Sequence, residues 1–289
     1  MKLVAALCFV AGCSSSDGTS TKTATLQMDP FTVEAGQEVW KCQEFANPFG
    51  GDAQVVTWRS HLSDGSHHLL VSQIAGASDT AVTDCGSSNL DGEVFDAQSP
   101  ESETAYPDGV AFTVDAGTGF RVEAHYLNAS DAALVGSVTI EADYQRGTTA
   151  LTPAGPMLYT TTDISIPPGG APVTVSYTCN VDHDLYLIDT VSHMHRHGIE
   201  FTAATADTML YQTDNYSHPP RHRYDPPLAL VAGTPVTFSC TYVNTGSTTI
   251  TFGQSAATDE MCALFGTYYP VADGADPFMT CFGGARPPP

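Results

Sequence analysis

The sequence predicts an all-β protein built from two tandem antiparallel β-sandwich, jelly-roll-like domains. Most segments alternate apolar and polar residues with period two and are punctuated by Gly, Pro, Asn and Asp, while apolar residues at helical spacing are hard to find. The 289 residues exceed the roughly 100 to 200 that one domain uses, so there is material for two cores. Alternation lapses from Arg146-Gly147-Thr148 to Pro153-Ala154-Gly155-Pro156, the expected junction between a domain over residues 25–147 and a second over 157–283. Residues 284–289 are expected to form a disordered tail.

In chain order, Met1-Lys2 followed by the apolar run Leu3 to Gly12 reads as an export signal, because the run is far too short to cross a bilayer. Val10-Ala11-Gly12-Cys13 resembles the processing site of bacterial lipoproteins. That resemblance implies a signal peptide over residues 1–13 and lipidation of Cys13. The protein would be exported to the cell envelope and would touch a membrane, at its periplasmic or outer surface, through the anchor alone. The Ser/Thr/Gly/Asp-rich residues 14–24 would be the flexible tether. Strands are expected at Phe120 to Tyr126, Val138 to Tyr144, Val173 to Val181 and Val236 to Tyr242, each setting β-branched or aromatic residues on one face.

With Cys8 and Cys13 set aside, Cys42, Cys85, Cys179, Cys240, Cys262 and Cys281 remain. An even number in an exported chain reads as disulfides, and their connectivity stays open at this point. The 32 acidic against 10 basic residues give a net charge of -22, which repels phosphate backbones and argues against nucleic acid partners. Arg221-His222-Arg223 is the only local basic cluster. Neither a Gly-x-Ser-x-Gly elbow nor a Gly-rich phosphate loop occurs.

The histidines carry the chemistry. Six of the ten fall in three tight settings: Ser66-His67-His68-Leu69, Ala124-His125-Tyr126 and His193-Met194-His195-Arg196-His197. Strand parity turns Phe120, Val122, Ala124 and Tyr126 one way and His125 the other, with Arg121 and Glu123. Over Val191 to Ile199 the same parity sets His193, His195 and His197 on one face, where imidazoles at i and i+2 can converge on one metal ion. Imidazole suits copper, zinc, iron and nickel, whereas a thioether favours Cu(I). Met261, in the polar string Asp259-Glu260-Met261-Cys262, is the candidate soft ligand; as an ordinary methionine it would fill a gap under a loop.

His-His, then His-Tyr, then His-x-His, then Asp-Glu-Met-Cys, supported by Cys240-Thr241-Tyr242-Val243-Asn244 and Tyr268-Tyr269-Pro270, resembles the copper type II, ascorbate-dependent monooxygenases. The matches run from about Trp40 to Cys281. The resemblance implies a copper site on each domain, facing an interdomain cleft. His67, His68 and His125 would hold an electron-transfer copper. His193, His195 and Met261 would hold the catalytic copper, where dioxygen and substrate meet. It further implies two copper ions per chain and ascorbate or another one-electron reductant as co-substrate. Its disulfides would be Cys42–Cys85, Cys179–Cys281 and Cys240–Cys262, and the chain is expected to be a monomer.

The departures inform the substrate. Where the peptide-hydroxylating branch of that family holds a substrate carboxylate with an arginine and polar groups, this chain has Val191, Ala263 and Phe265. An apolar pocket cannot offset the desolvation of a carboxylate, so the expected reaction is hydroxylation of an aliphatic C–H bond in a small neutral or aromatic molecule. Two other readings stand beside it. One is a surface copper-binding or storage protein without turnover. The other is a single cupin-like iron or manganese site of His193, His195 and Glu200. His197 is expected to support the ligands or touch substrate, and Trp40 to line the cleft or pack. His61, His183, His218 and His222 read as surface or hydrogen-bonding residues.

Overall fold

The computed structural model describes residues 20–88, 91–147 and 149–284. The expected signal peptide, Cys13 and most of the tether lie outside the described residues, as do residues 285–289 of the expected tail. Every regular element among the described residues is a β-strand. Strand structure begins earlier than expected: Lys22–Gln27 pairs along Val138–Gln145, with the Thr23 hydroxyl donating to Asp143 at 2.6 Å. The end of the stretch read as tether is therefore already in a sheet.

The N-terminal half carries two main sheets. One orders Lys22–Gln27, Val138–Gln145, Ala53–Leu62, Val110–Val114 and Thr152–Pro153, with Glu101–Ala105 pairing to Ala53–Leu62. The other orders Thr83–Asp84, Glu38–Phe45, Thr118–Leu127, Ser66–Ala75 and Glu93–Ala97. Their inner faces enclose one core in which Trp58 packs on Phe95 and Phe120 at 5.9 and 5.7 Å between ring centres. Phe120, Val122, Ala124 and Tyr126 are all fully buried there, where a valine or phenylalanine side chain contributes roughly 1.5–3 kcal/mol.

The C-terminal half repeats the plan. One sheet orders His222–Leu230, Leu185–His193, Ala263–Tyr269, Gly155–Thr161 and Met279–Gly283, and the other orders Pro172–Asn180, Pro235–Val243, Gly198–Ala204 and Met209–Thr213. A second core lies between them around Tyr159, Leu187, Phe238, Tyr242 and Leu264. Two pairings depart from the antiparallel expectation: Thr152–Pro153 runs parallel to Val110–Val114, and Gly155–Thr161 runs parallel to Met279–Gly283. The stretch read as a junction thus holds a short strand of the first half and begins the first strand of the second.

The outer faces of two sheets meet, so the expected cleft is closed here. Leu70 of the first half packs among Leu158, Val191, Ala263 and Phe265 of the second. Ile188 reaches across into the N-terminal core. It does so because the pairing of Leu185–His193 shifts register between Leu187 and Asp189 on both sides. A bulge of this kind re-aims the extra residue.

Candidate metal centre

The local backbone decides which imidazoles can meet. Neighbouring residues on a regular strand point to opposite faces, so His67 and His68 could not both face His125 without an irregularity. The structure supplies one: His125 pairs with His68 and Tyr126 with Ser66, leaving His67 as the extra residue of a bulge. His125 is also the cross-strand partner of Trp40, whose ring stacks on it at 4.3 Å. The His193 segment departs from the strand expected there. The strand ends at His193 and the next begins at Gly198, with a turn between in which the Gly198 amide donates to the His195 carbonyl. Glu260 causes that turn by accepting from the amides of His195 at 2.9 Å and His197 at 2.7 Å, which withdraws both from a ladder.

The two predicted groups of histidines do not stand apart. Ring centres of His67 lie 4.9 Å from His193, 5.1 Å from His195, 5.0 Å from His125 and 5.3 Å from His68. His193 and His195 are 5.1 Å apart. One ring nitrogen each from His67, His193 and His195 falls within 4.8 Å of the others. His68 Nε2 and His125 Nδ1 are 3.2 Å apart, a separation suited either to a hydrogen bond or to two ligands of one ion.

Hydrogen bonds fix the tautomers. His193 Nδ1 donates to Gln98 Oε1 at 2.8 Å and His195 Nδ1 donates to the Asp259 carbonyl at 3.0 Å, so both present an unprotonated Nε2. Those two atoms, together with His67 Nε2 and His68 Nδ1, are buried without a hydrogen-bond partner. Buried orphan acceptors are costly, and a cluster of them is the donor set that a cation would satisfy. His125 Nε2 donates to Glu38 Oε1 at 2.8 Å. Glu38 also accepts from the Ser255 hydroxyl and the Ala256 amide, tying the His125 strand to the segment leading to Met261.

Electrostatics keep the imidazoles neutral. Burial first, and mutual repulsion second, hold His67, His68 and His193 well below the usual histidine range. Burial likewise lowers His195 to about 4, against the pull of the Asp259 carbonyl. Burial would raise Glu38, but its bonds from His125, Ser255 and Ala256 hold it at about 2. Glu260, wholly buried, is pushed by burial to about 7 although it accepts amides of His195 and His197.

Met261 is half-buried and follows Glu260 directly. The Tyr242 hydroxyl donates to its carbonyl at 2.7 Å, and Cys240–Cys262 closes beside it. Among the described residues Cys42–Cys85 and Cys179–Cys281 are also bonded, the pairings that the resemblance implies. His197 is not among the three histidines whose nitrogens converge; its Nδ1 lies 3.0 Å from Glu260. Glu200 is exposed and accepts from Gln212, which removes it from any site with His193 and His195.

Sequence reasoning missed Gln98, Glu38 and Glu260, which orient the ligands, and it missed the role of Arg221. The Arg221 guanidinium reaches Asp189 Oδ1 and Asp96 Oδ2, each at 2.8 Å, joining the halves beside the cluster. Its place in the one basic cluster of an acidic chain was the available signal.

Comparison with known proteins bears on this geometry. The profile of the copper type II ascorbate-dependent monooxygenase C-terminal domain matches residues 153–287. Peptidyl-glycine alpha-amidating monooxygenases A and B of Xenopus laevis are each 26% identical to the chain, over 307 and 302 residues. Those alignments cover 94% of this chain but only 30% and 33% of the relatives, so the chain spans about a third of their length. A solved structure of infectious bursal disease virus Gx strain aligns over 88% of this chain and 73% of its own, at 12% identity and a TM-score of 0.16, too low to bear on fold or function. The match over residues 153–287 and the two relatives at 26% identity support the copper type II, ascorbate-dependent monooxygenase family for this chain.

Proposed function

We propose that this chain inserts one atom of dioxygen into an aliphatic C–H bond of a small neutral or aromatic molecule, with ascorbate or another one-electron reductant as co-substrate. In balance, R–H, O2, two electrons and two protons give R–OH and water. The observation that carries this reading is the convergence of neutral, buried imidazoles with unpartnered nitrogens, a set that suits copper. Bound copper would supply the redox chemistry, each of two ions passing one electron.

In this reading His67, His68 and His125 hold the electron-transfer ion, and His193, His195 and Met261 hold the ion on the oxygen side. The protein's own part is positioning. Gln98 and the Asp259 carbonyl preset the tautomers of His193 and His195, Glu38 presets His125, and Cys240–Cys262 clamps the methionine turn. Burial of the cluster excludes water. Val191, Ala263 and Phe265 form an apolar surface beside His193 that offers a carboxylate no partner, which argues against peptides recognised by their C-terminus. Export, anchoring through Cys13 and a monomeric state complete the proposal.

The test is elemental analysis of the soluble fragment beginning at Ser14, followed by oxygen uptake on adding ascorbate. Two coppers per chain with reductant-dependent uptake are expected; zinc, or copper without uptake, would sink the reading. Met261→Ala should abolish oxidation while leaving the fold and the copper at His68 and His125, as read by circular dichroism and metal content.

A further inference from the structure

His67 stands between the two ligand sets, closer by ring centre to His193 than to His68. We propose that one metal ion can be held across the two halves of the chain by His67, His193 and His195, so that binding it clasps the closed arrangement. The inference takes copper as the ion from the function proposed above, and for the first ion bound it lends His67 to the set of the other half.

Three observations carry it. One nitrogen of each of these residues lies within 4.8 Å of the others. Metal–nitrogen bonds of roughly 2.0–2.1 Å set three ligands of one ion about 3.6 Å apart, so gaps of up to 4.8 Å must close by about an ångström when the ion binds. The Nε2 atoms of all three are buried and unpartnered, and those of His193 and His195 are unprotonated because Nδ1 donates elsewhere. His68 and His125, by contrast, already engage each other, and His125 engages Glu38. The bulge at His67 is what sets its ring beside the second half as well as beside that pair.

The consequence is thermodynamic. His67 belongs to one half and His193 with His195 to the other, so the three-nitrogen site exists only while the outer faces are together. An ion that binds one arrangement and not the other shifts the population towards it by mass action. Metal would then set the closed state as well as serve the chemistry.

The experiment titrates the metal-free mature chain with one equivalent of Cu(II), following affinity by chelator competition, compactness by small-angle scattering and stability by the thermal midpoint. In the wild type the first equivalent should raise the midpoint and reduce the radius of gyration. Loss of even an outer partner of a ligand lowers metal affinity about 10–100-fold, so His67→Ala and His193→Ala should each weaken the first equivalent by at least about tenfold and abolish both shifts. His68→Ala should keep them. His67→Gln, which fills similar space, together with circular dichroism of each apo variant, separates ligand loss from misfolding. First-equivalent binding and closure that survive in His67→Ala, or that are lost equally in His68→Ala, would overturn the clasp. The enzymatic reading fails separately: a wild type clasped by copper yet showing no ascorbate-dependent oxygen uptake keeps the clasp and removes the monooxygenase.

Discussion

Gln98 shows how much one residue can set. It accepts from His193 Nδ1 at 2.8 Å while its own amide donates to Asp96 at 3.2 Å, so its orientation, and through it the tautomer of His193, is dictated from the other half of the chain. Gln98→Leu should cost roughly 1–3 kcal/mol by leaving buried groups unpaired and lower metal affinity at His193 about 10–100-fold. Gln98→Glu, which keeps an acceptor, should recover most of the affinity; chelator competition on the three proteins is the check. The same imidazoles set the acid response. His195 is lowered to about 4 by burial, against an ordinary value of 6.5, and burial holds His67, His68 and His193 well below that ordinary value too. Between about pH 6.5 and pH 4 these four imidazoles bind more protons in the unfolded chain than in the folded one, outnumbering the opposite contribution of the raised Glu260, so their share of the metal-free protein's stability is lost as pH drops through that window. Urea unfolding at pH 7, 6, 5 and 4 should show a steadily falling midpoint, and a flat series would contradict the buried, neutral cluster.

At the scale of the element, two bulges and a disulfide convert strands into a site. The period-two pattern was legible: Phe120, Val122, Ala124 and Tyr126 face the core as alternation requires, and His125 faces away. The bulges at His67 and Ile188 were not legible, because an extra residue is tolerated where long-range pairing accommodates it and leaves no mark in local composition. The turn at Met194 to His197 was hidden for a related reason. His193 and His195 do converge, but through a turn imposed by Glu260, more than sixty residues away in sequence, and not through strand parity. Candidate ligands were therefore readable from residue type and order, while the residues that aim them were not. Cys240–Cys262 closes a separation of 22 residues around that region, and chain entropy values such a crosslink at about 3 kcal/mol. Replacing both cysteines with alanine should lower the thermal midpoint accordingly. It should also weaken any sulfur signal in the X-ray absorption of bound Cu(I), because Met261 adjoins Cys262; an unchanged signal would show that the turn holds its shape without the clamp.

Across the whole molecule, an acidic chain with a net charge of -22 spends one of its few cations at the join between its halves. Arg221 is 9% exposed and bonds Asp189 of its own half, 2% exposed, and Asp96 of the other, 7% exposed. Thr104 adds a bond from the N-terminal half to Asp189 at 3.1 Å. Because Asp96 also orients the amide of Gln98, the ion pair communicates with His193 through two hydrogen bonds. Removing one partner of a buried pair leaves the other charge uncompensated, at a cost of roughly 3–5 kcal/mol. Arg221→Ala should thus do more than lower stability. With Asp96 and Asp189 both seeking water, the faces joined by Leu70, Val191 and Phe265 should part, which scattering would register as a larger radius of gyration in the metal-free protein. Asp96→Asn and Asp189→Asn added to Arg221→Met remove every charge together and should restore compactness. If Arg221→Ala stays as compact as the wild type, the apolar patch and the remaining hydrogen bonds, such as those from Ser255 and Ala256 to Glu38, hold the halves, and the closed geometry of the histidine cluster does not depend on Arg221.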